Sequence, residues 1–288
     1  MHIIYAIIFI YLGLNHVNAQ TLSFVSDDPD QPIEVSAETG IEWQQERRLF
    51  IARGSAKATQ GDVQVNANQI IAHYRETIGS RTDVYRVDAV GDVTIRSPGE
   101  VVTGSAAVYD FEKAVLVMQG APVRLETVDS VIIAENTIQY WEKENVAVAD
   151  GPATALREEQ KLVADQLTAR FKDSKLSDAK GLPVRSNELS MIQGFGNVHF
   201  ESNNDIVKGD RGKYNLETGI ATVDGNVSIT SDQNQLSGGF AVIDTNSGIN
   251  QLFMNSKQAG LGPIPSMKRV RALIAPRPLD TAPPTMVK

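Results

Sequence analysis

The sequence predicts an all-β protein built from six repeats of a two-stranded unit. Three observations carry this prediction. A glycine recurs in similar surroundings, an aromatic or large apolar residue follows it at a nearly fixed distance, and polar and apolar residues alternate between these landmarks. Alternation with a period of two is typical of strands that have one face on a core and the other in water. Six such units predict about a dozen antiparallel strands.

The recurring glycines mark equivalent points of the six units. A short string follows three of them and reads Gly91-Asp-Val-Thr-Ile95, Gly196-Asn-Val-His-Phe200 and Gly225-Asn-Val-Ser-Ile229. Glycine within a strand is costly unless the backbone needs a bulge, a bend or a close approach. We therefore expect every strand to bend at the same level, so that the sheet folds over on itself. The aligned glycines are Gly54, Gly91, Gly120, Gly151, Gly196 and Gly225.

The residue that follows each glycine by 18 or 20 positions sets the register of the repeat. Because these offsets differ by two, a hairpin can lengthen by one residue on each strand while every side chain keeps its face. The six residues are Tyr74, Tyr109, Tyr140, Phe171, Tyr214 and Ile243.

Apolar residues at alternate positions define the predicted inner face. In residues 221–230 every odd position is apolar or glycine and every even position is polar, and residues 85–96 repeat the pattern with one exception, Val90. The inner face lines either an open trough that holds a ligand or a closed and packed core, and periodicity favours neither. The candidate lining residues are Val87, Val93, Ile95, Val198, Phe200, Val223, Val227 and Ile229.

The first 19 residues have the features of an export signal. An apolar run over residues 3–14 precedes Val17-x-Ala19, which places small residues where a signal peptidase reads them. The run is shorter than the ~20 residues that cross a bilayer. We therefore predict cleavage after Ala19 and export of the mature protein. The lack of Lys and Arg ahead of the run leaves an uncleaved membrane anchor as the alternative.

Composition divides the rest of the chain into a β domain at 20–255 and a tail at 256–288. The tail holds six of the 12 prolines and six Lys or Arg against one Asp, a net charge of +5. Such a basic, Pro-rich segment is expected to be disordered, either simply solvated or in contact with an acidic partner. A polar stretch at 173–187 predicts an inserted loop.

Several classes of chemistry have no support in the sequence. A net charge of −8 argues against a nucleic-acid surface, and a chain without cysteine has no disulfide and no thiolate metal site. His73 and His199 have no carboxylate pair at metal-ligand spacing, and no hydrolase or phosphate-loop motif occurs. We expect no catalytic residue, metal or cofactor. A β-repeat enzyme that acts on a polysaccharide remains the alternative.

The repeated Gly-Asn-Val-x-Ile units, together with the string Gly209-Asp-x-Gly-x-Tyr214-x-x-x-Thr218-Gly219, resemble the OstA-like family over about residues 33–253. The resemblance implies a half-open β-jelly-roll in the periplasm whose interior holds the lipid A acyl chains of lipopolysaccharide. It also implies head-to-tail homo-oligomers that bridge an LptC-like inner-membrane export complex and an LptD-like outer-membrane translocon. Alternatives are a membrane-anchored LptC-like component and a structural scaffold that binds no lipid.

Overall fold

The computed structural model describes residues 32–77, 81–172, 189–202, 205–231, 234–256, 259 and 270–273. All regular structure in these residues is β, which confirms the predicted fold class. Within the same ranges no helix is long and apolar enough to cross a membrane. The predicted export signal, the loop at 173–187 and most of the tail lie outside the described residues.

The described residues form eighteen strands of one antiparallel sheet. In chain order they are β1 (Glu34–Ser36), β2 (Gly40–Gln44), β3 (Leu49–Gln60), β4 (Val63–Thr77), β5 (Arg81–Ser97), β6 (Glu100–Asp110), β7 (Val115–Gln119), β8 (Val123–Glu126), β9 (Ser130–Ala134), β10 (Thr137–Trp141), β11 (Val146–Arg157), β12 (Gln160–Phe171), β13 (Leu189–Glu201), β14 (Asp205–Asn215), β15 (Ile220–Ser231), β16 (Asn234–Asp244), β17 (Ile249–Phe253) and β18 (Arg271–Leu273).

Ten of the described strands are long, and the eight short ones form four pairs, each lying beside the two halves of one long strand. The strands β2 and β1 lie beside the two halves of β3, and β17 and β18 lie beside the two halves of β16. In the same way β7 and β8 flank β6, and β10 and β9 flank β11. We call each long strand, or each such pair, a rung. The described strands therefore make fourteen rungs, close to the predicted dozen strands, and the strand count reaches eighteen because four rungs are broken in two.

The recurring glycines lie where the rungs bend. In the five long strands β3, β5, β11, β13 and β15 the pairing register shifts at the glycine, as at a β-bulge. The glycines at these bends have φ between 72° and 79°. The sixth glycine, Gly120, lies between β7 and β8, where the rung is interrupted instead of bulged. The expected bend at one level of every repeat is therefore observed.

The bend at Gly225 shows why glycine is needed there. Its backbone is left-handed, and a Cβ at this position would overlap the carboxylate of Asp210 on the neighbouring strand. Asn226, the next residue, is also left-handed, and its side chain donates hydrogen bonds to that carboxylate. Gly196 and Asn197 repeat the arrangement against Asp165. The glycine thus allows the bend, and the asparagine after it hydrogen-bonds the bend to the aspartate of the neighbouring strand.

Bending at one level gives the sheet two arms. The first arm contains β2, β7, β10 and β17 with the strand halves beside them, and the second contains β1, β8, β9 and β18 with theirs. Near the bend a Cβ on Gly209, from the second arm, would overlap Val223 of the first arm. The inner faces of both arms pack into the same hydrophobic clusters, so the core lies inside the fold of the sheet.

Candidate functional site in the apolar interior

The interior of the folded sheet is lined by apolar side chains along its whole length. A larger cluster runs from β3 to β13, and a smaller one occupies β14, β15 and β16. In the five strands that carry the bending glycine, alternation continues across it on the same face, so residues from both sides of the bend face the interior. In β15, for example, Ala221 and Val223 precede the bend and Val227 and Ile229 follow it, and all four are buried. The result is an apolar lining that extends from β3 to β16 in two clusters.

All eight candidate residues lie on this inner face. In the larger cluster Val93, Ile95 and Val198 are buried and Val87 is half-buried. In the smaller cluster Val223, Val227 and Ile229 are buried and Phe200 is half-buried. The structure thus distributes the eight over two clusters of one lining and does not gather them into one pocket.

The exception in the alternation points away from the interior. Val90 is the apolar exception on the otherwise polar face of β5, and its side chain is 46% exposed. It lies immediately before the bend at Gly91, on the outer side of the sheet. The sequence pattern therefore assigns the inner and outer faces correctly even at the residue that breaks it.

A row of aromatic side chains lines the inner face of the first arm, and sequence reasoning used these residues only as spacing markers. Tyr74, Tyr140 and Phe171 are buried. The rings of Tyr140 and Phe171 meet edge to face with centroids 6.1 Å apart, and Phe50 packs 4.9 Å from Tyr74. The signal that identifies the row is the recurring distance from the glycines, since a fixed offset also fixes the face.

Three buried carboxyl groups were not anticipated. The hydroxyl of Tyr109 donates a 3.0 Å hydrogen bond to Glu142, which satisfies that carboxyl. Glu100 is 6% exposed, and burial raises its pKa to about 8, against a smaller opposing effect of the Ser97 hydroxyl. Asp205 is 3% exposed, and among the described residues its Oδ1 has no hydrogen-bond partner. A period-two pattern cannot reveal them, because polar residues beside a turn are expected to be solvated.

Two histidines lie outside the interior, and only His73 is hydrogen-bonded to its neighbouring carboxylate, since His199 Nε2 is buried without a hydrogen-bond partner among the described residues. His73 Nε2 lies 2.7 Å from Asp88 Oδ2, and His199 Nε2 lies 3.9 Å from Glu201 Oε2. In the part of the chain that the structure describes, no three His, Asp or Glu side chains come together as a metal site would require.

Both edges of the sheet carry exposed apolar side chains. At the N-terminal edge Ile41 and Trp43 of β2 are more than half exposed. At the C-terminal edge the same holds for Ile249 of β17 and Leu273 of β18. Edge strands also carry backbone groups without a neighbour in the sheet, which makes them templates for another strand.

Comparison with protein families decides the affiliation. The model of the family described as LptA/(LptD N-terminal domain) LPS transport protein matches residues 34–143 and 132–249. The chain belongs to this family. The two matches of the LptA/LptD N-terminal family together cover nearly all rungs, and they confirm the resemblance drawn from the repeated motifs.

Two further comparisons were made. The chain is similar to the crystal structure of LptH, the LptA homologous periplasmic component of the conserved lipopolysaccharide transport device from Pseudomonas aeruginosa. The identity is 13%, the alignment covers 87% of this chain and 100% of that chain, and the TM-score is 0.21. A search of curated proteins found no match.

Proposed function

We propose that this chain is a periplasmic lipopolysaccharide-binding protein that carries lipopolysaccharide between the inner and outer membranes. The observation that supports it best is the apolar lining of the folded sheet from β3 to β16, in a chain that belongs to a lipopolysaccharide transport family. The acyl chains lie between the two arms, against residues such as Val93, Val198 and Val227. The protein provides a binding surface and performs no chemical step.

The energetics of such an interior suit transport. Transfer of an acyl chain from water contributes ~0.8 kcal/mol per methylene, so about ten methylenes contribute roughly 8 kcal/mol. Because each rung repeats the same apolar positions, a lipid meets similar surfaces at steps of ~4.8 Å, the spacing of neighbouring strands. The acyl chains are therefore well shielded from water, and no position along the interior binds them much more tightly than the next.

The two edges support a head-to-tail assembly. The N-terminal edge, formed by β1 and β2, exposes Ile41 and Trp43, and it differs from the C-terminal edge, where β17 exposes Ile249 in the first arm and β18 covers part of β16 in the second arm. Pairing of unlike edges is a heterologous contact, which builds filaments and continues the lining from one copy to the next. The same contact fits the related folds of an LptC-like inner-membrane partner and an LptD-like outer-membrane partner.

A structural scaffold with a filled core is the second candidate. It is favoured by the burial of several inner side chains, among them Met118 and Val123, which are not accessible at all. In that case the apolar residues pack against one another only. The chain would then self-associate without binding lipid.

Photo-crosslinking in cells separates the two functions. A photoreactive amino acid at Val227 is expected to form adducts with lipopolysaccharide, whereas one at Ser228, on the opposite face of the same strand, is not. Absence of adducts at Val227, and at the equivalent Val93 and Val198, would exclude an open lipid path and leave the scaffold.

A further inference from the structure

Polar side chains point inward where the strands of the second arm end in turns. In the turn between β5 and β6, Ser97 and Glu100 are both buried. Glu100 shares its face with Val102, which is fully buried, since residues two apart in a strand face the same way. At the facing ends of β13 and β14 the equivalent inward positions hold the half-buried Ser202 and the buried Asp205, and at the ends of β15 and β16 they hold the half-buried Ser231 and Asn234. We call these six residues the polar strip.

Asp205 is the member of the strip that most needs a partner. It pairs with Ser231 across the sheet, and two residues further on Val207 is buried in the smaller cluster, so the carboxylate faces the interior. Its Oδ1 is buried and accepts no hydrogen bond from any residue that the structure describes. A buried polar atom without a partner costs about 1–3 kcal/mol, more when it is charged. That cost is offset if a ligand supplies a donor.

Glu100 shows the same deficiency at another rung. Its one hydrogen bond within the described residues comes from the Ser97 hydroxyl at 3.5 Å, at the limit for such a bond. Glu142, a buried carboxyl of the first arm, instead accepts a 3.0 Å bond from Tyr109. The fold can therefore satisfy an inward carboxyl with its own side chains, and at Glu100 and Asp205 it does so poorly.

We propose that the polar strip binds the amino-sugar headgroup of the transported lipid, with Asp205 and Glu100 accepting hydrogen bonds from its hydroxyl and amide groups. This inference rests on the proposed function, since it places the headgroup at the second-arm end of a lipid whose acyl chains lie deeper. Buried acceptors select a ligand that carries donors, which an acylated amino sugar does and a simple fatty acid largely does not.

The two carboxyls act at different places along the path. Glu100 is on β6 and Asp205 is on β14, six strand spacings apart through β8, β9, β11, β12 and β13, or ~29 Å at ~4.8 Å per strand. A headgroup therefore meets them in succession. The raised pKa of Glu100 keeps this carboxyl largely uncharged at neutral pH. It accepts and donates hydrogen bonds there without repelling the phosphates of the headgroup.

Binding measurements on the purified full chain with two probes test the inference. The first probe is lipid A, an acylated and phosphorylated glucosamine disaccharide, and the second is palmitate, an acyl chain without a sugar. For Asp205→Ala and Glu100→Ala we expect lipid A binding to weaken about tenfold, as for the loss of one hydrogen bond to a carboxyl group, and palmitate binding to stay unchanged. The matched control is Glu201→Ala, on the hairpin of Asp205 but exposed and facing outward.

The outcomes distinguish this inference from the function on which it rests. If the unmodified chain binds neither probe, the proposed function fails. A second outcome is that the unmodified chain binds both probes while Asp205→Ala and Glu100→Ala bind lipid A just as tightly. In that case only the headgroup assignment fails. Equal weakening for lipid A and palmitate would also overturn the assignment, because the carboxyls would then act through the shape of the interior. Thermal unfolding identifies a folding defect, and we expect Asp205→Ala to melt no lower than the unmodified chain.

Discussion

The Asn226 side chain donates hydrogen bonds to both carboxylate oxygens of Asp210 across the bend of the sheet, over 3.3 and 3.1 Å. Asn197 makes the same pair of bonds to Asp165 two rungs away. In each case the asparagine follows the bending glycine and the aspartate belongs to the strand beside it. At the bend, side-chain hydrogen bonds thus connect neighbouring strands where the bulge interrupts the backbone hydrogen bonds between them.

Replacement of the bending glycine should therefore be more harmful than replacement of a glycine in an open turn. Gly225→Ala combines a left-handed backbone with overlap of the Asp210 carboxylate, whereas Gly248→Ala has a similar φ and nothing within 4 Å. We expect Gly248→Ala to cost about 1 kcal/mol of unfolding free energy from backbone strain and Gly225→Ala about 1–3 kcal/mol more. Urea unfolding of the two variants measures the difference, and equal losses would show that Asp210 moves aside freely.

Two valines at opposite extremes of exposure test where the core lies. Val123 is not accessible, whereas Val128, in the turn that follows β8, is 77% exposed. We expect Val123→Ala to lower the unfolding free energy by roughly 1.5–3 kcal/mol, because apolar area and packing are lost. Val128→Ala should stay within about 0.5 kcal/mol of the unmodified chain. Similar effects at both sites in denaturant titrations would contradict the inner face described here.

The buried Glu100 predicts a specific dependence of stability on pH. Its pKa is raised from 4.5 to about 8, so between these values the folded chain binds more protons than the unfolded chain. Stability from this group is therefore full below about pH 4.5 and declines as pH rises towards 8. Glutamine cannot ionise, so the unfolding free energy of Glu100→Gln, relative to that of the unmodified chain, should rise by a few kcal/mol between pH 4.5 and 8. Unfolding curves at pH 5, 7 and 8.5 measure the gap, and a constant gap would be inconsistent with a buried, protonated carboxyl.

The C-terminal tail should limit assembly under the proposed function. Its strand β18 pairs with Gln235–Ser237 and so occupies half of the C-terminal edge that an incoming copy would use. Removal of residues 256–288 should increase self-association at a given concentration, as measured by sedimentation velocity. Ala272→Pro, which removes a backbone donor in β18, should act in the same direction without changing charge. Weaker association in both variants would mean that β18 is part of the interface between copies.

Much of this architecture follows from local signals. A period of two assigned Val227 and Ser228 to opposite faces, because successive side chains in a strand alternate whatever else the chain does. The glycine before Asn226 predicted a bend for a similar reason, since a left-handed backbone is a property of one or two residues. Gly120 aligns with the other five glycines, yet its rung is broken between β7 and β8 instead of bulged, and the shared glycine does not distinguish the two outcomes.

The sequence by itself determined the fold class, the level of the bends, the faces of the strands and the family. Only the tertiary structure decided what lies opposite each inward side chain. It packs Val223 of one arm against Gly209 of the other, pairs β18 with β16, and buries Glu100 and Asp205 beside turns whose composition predicts solvated surface. Face and bend are set within a few residues, whereas burial and hydrogen-bond partners depend on segments far apart in the chain, which no local pattern encodes.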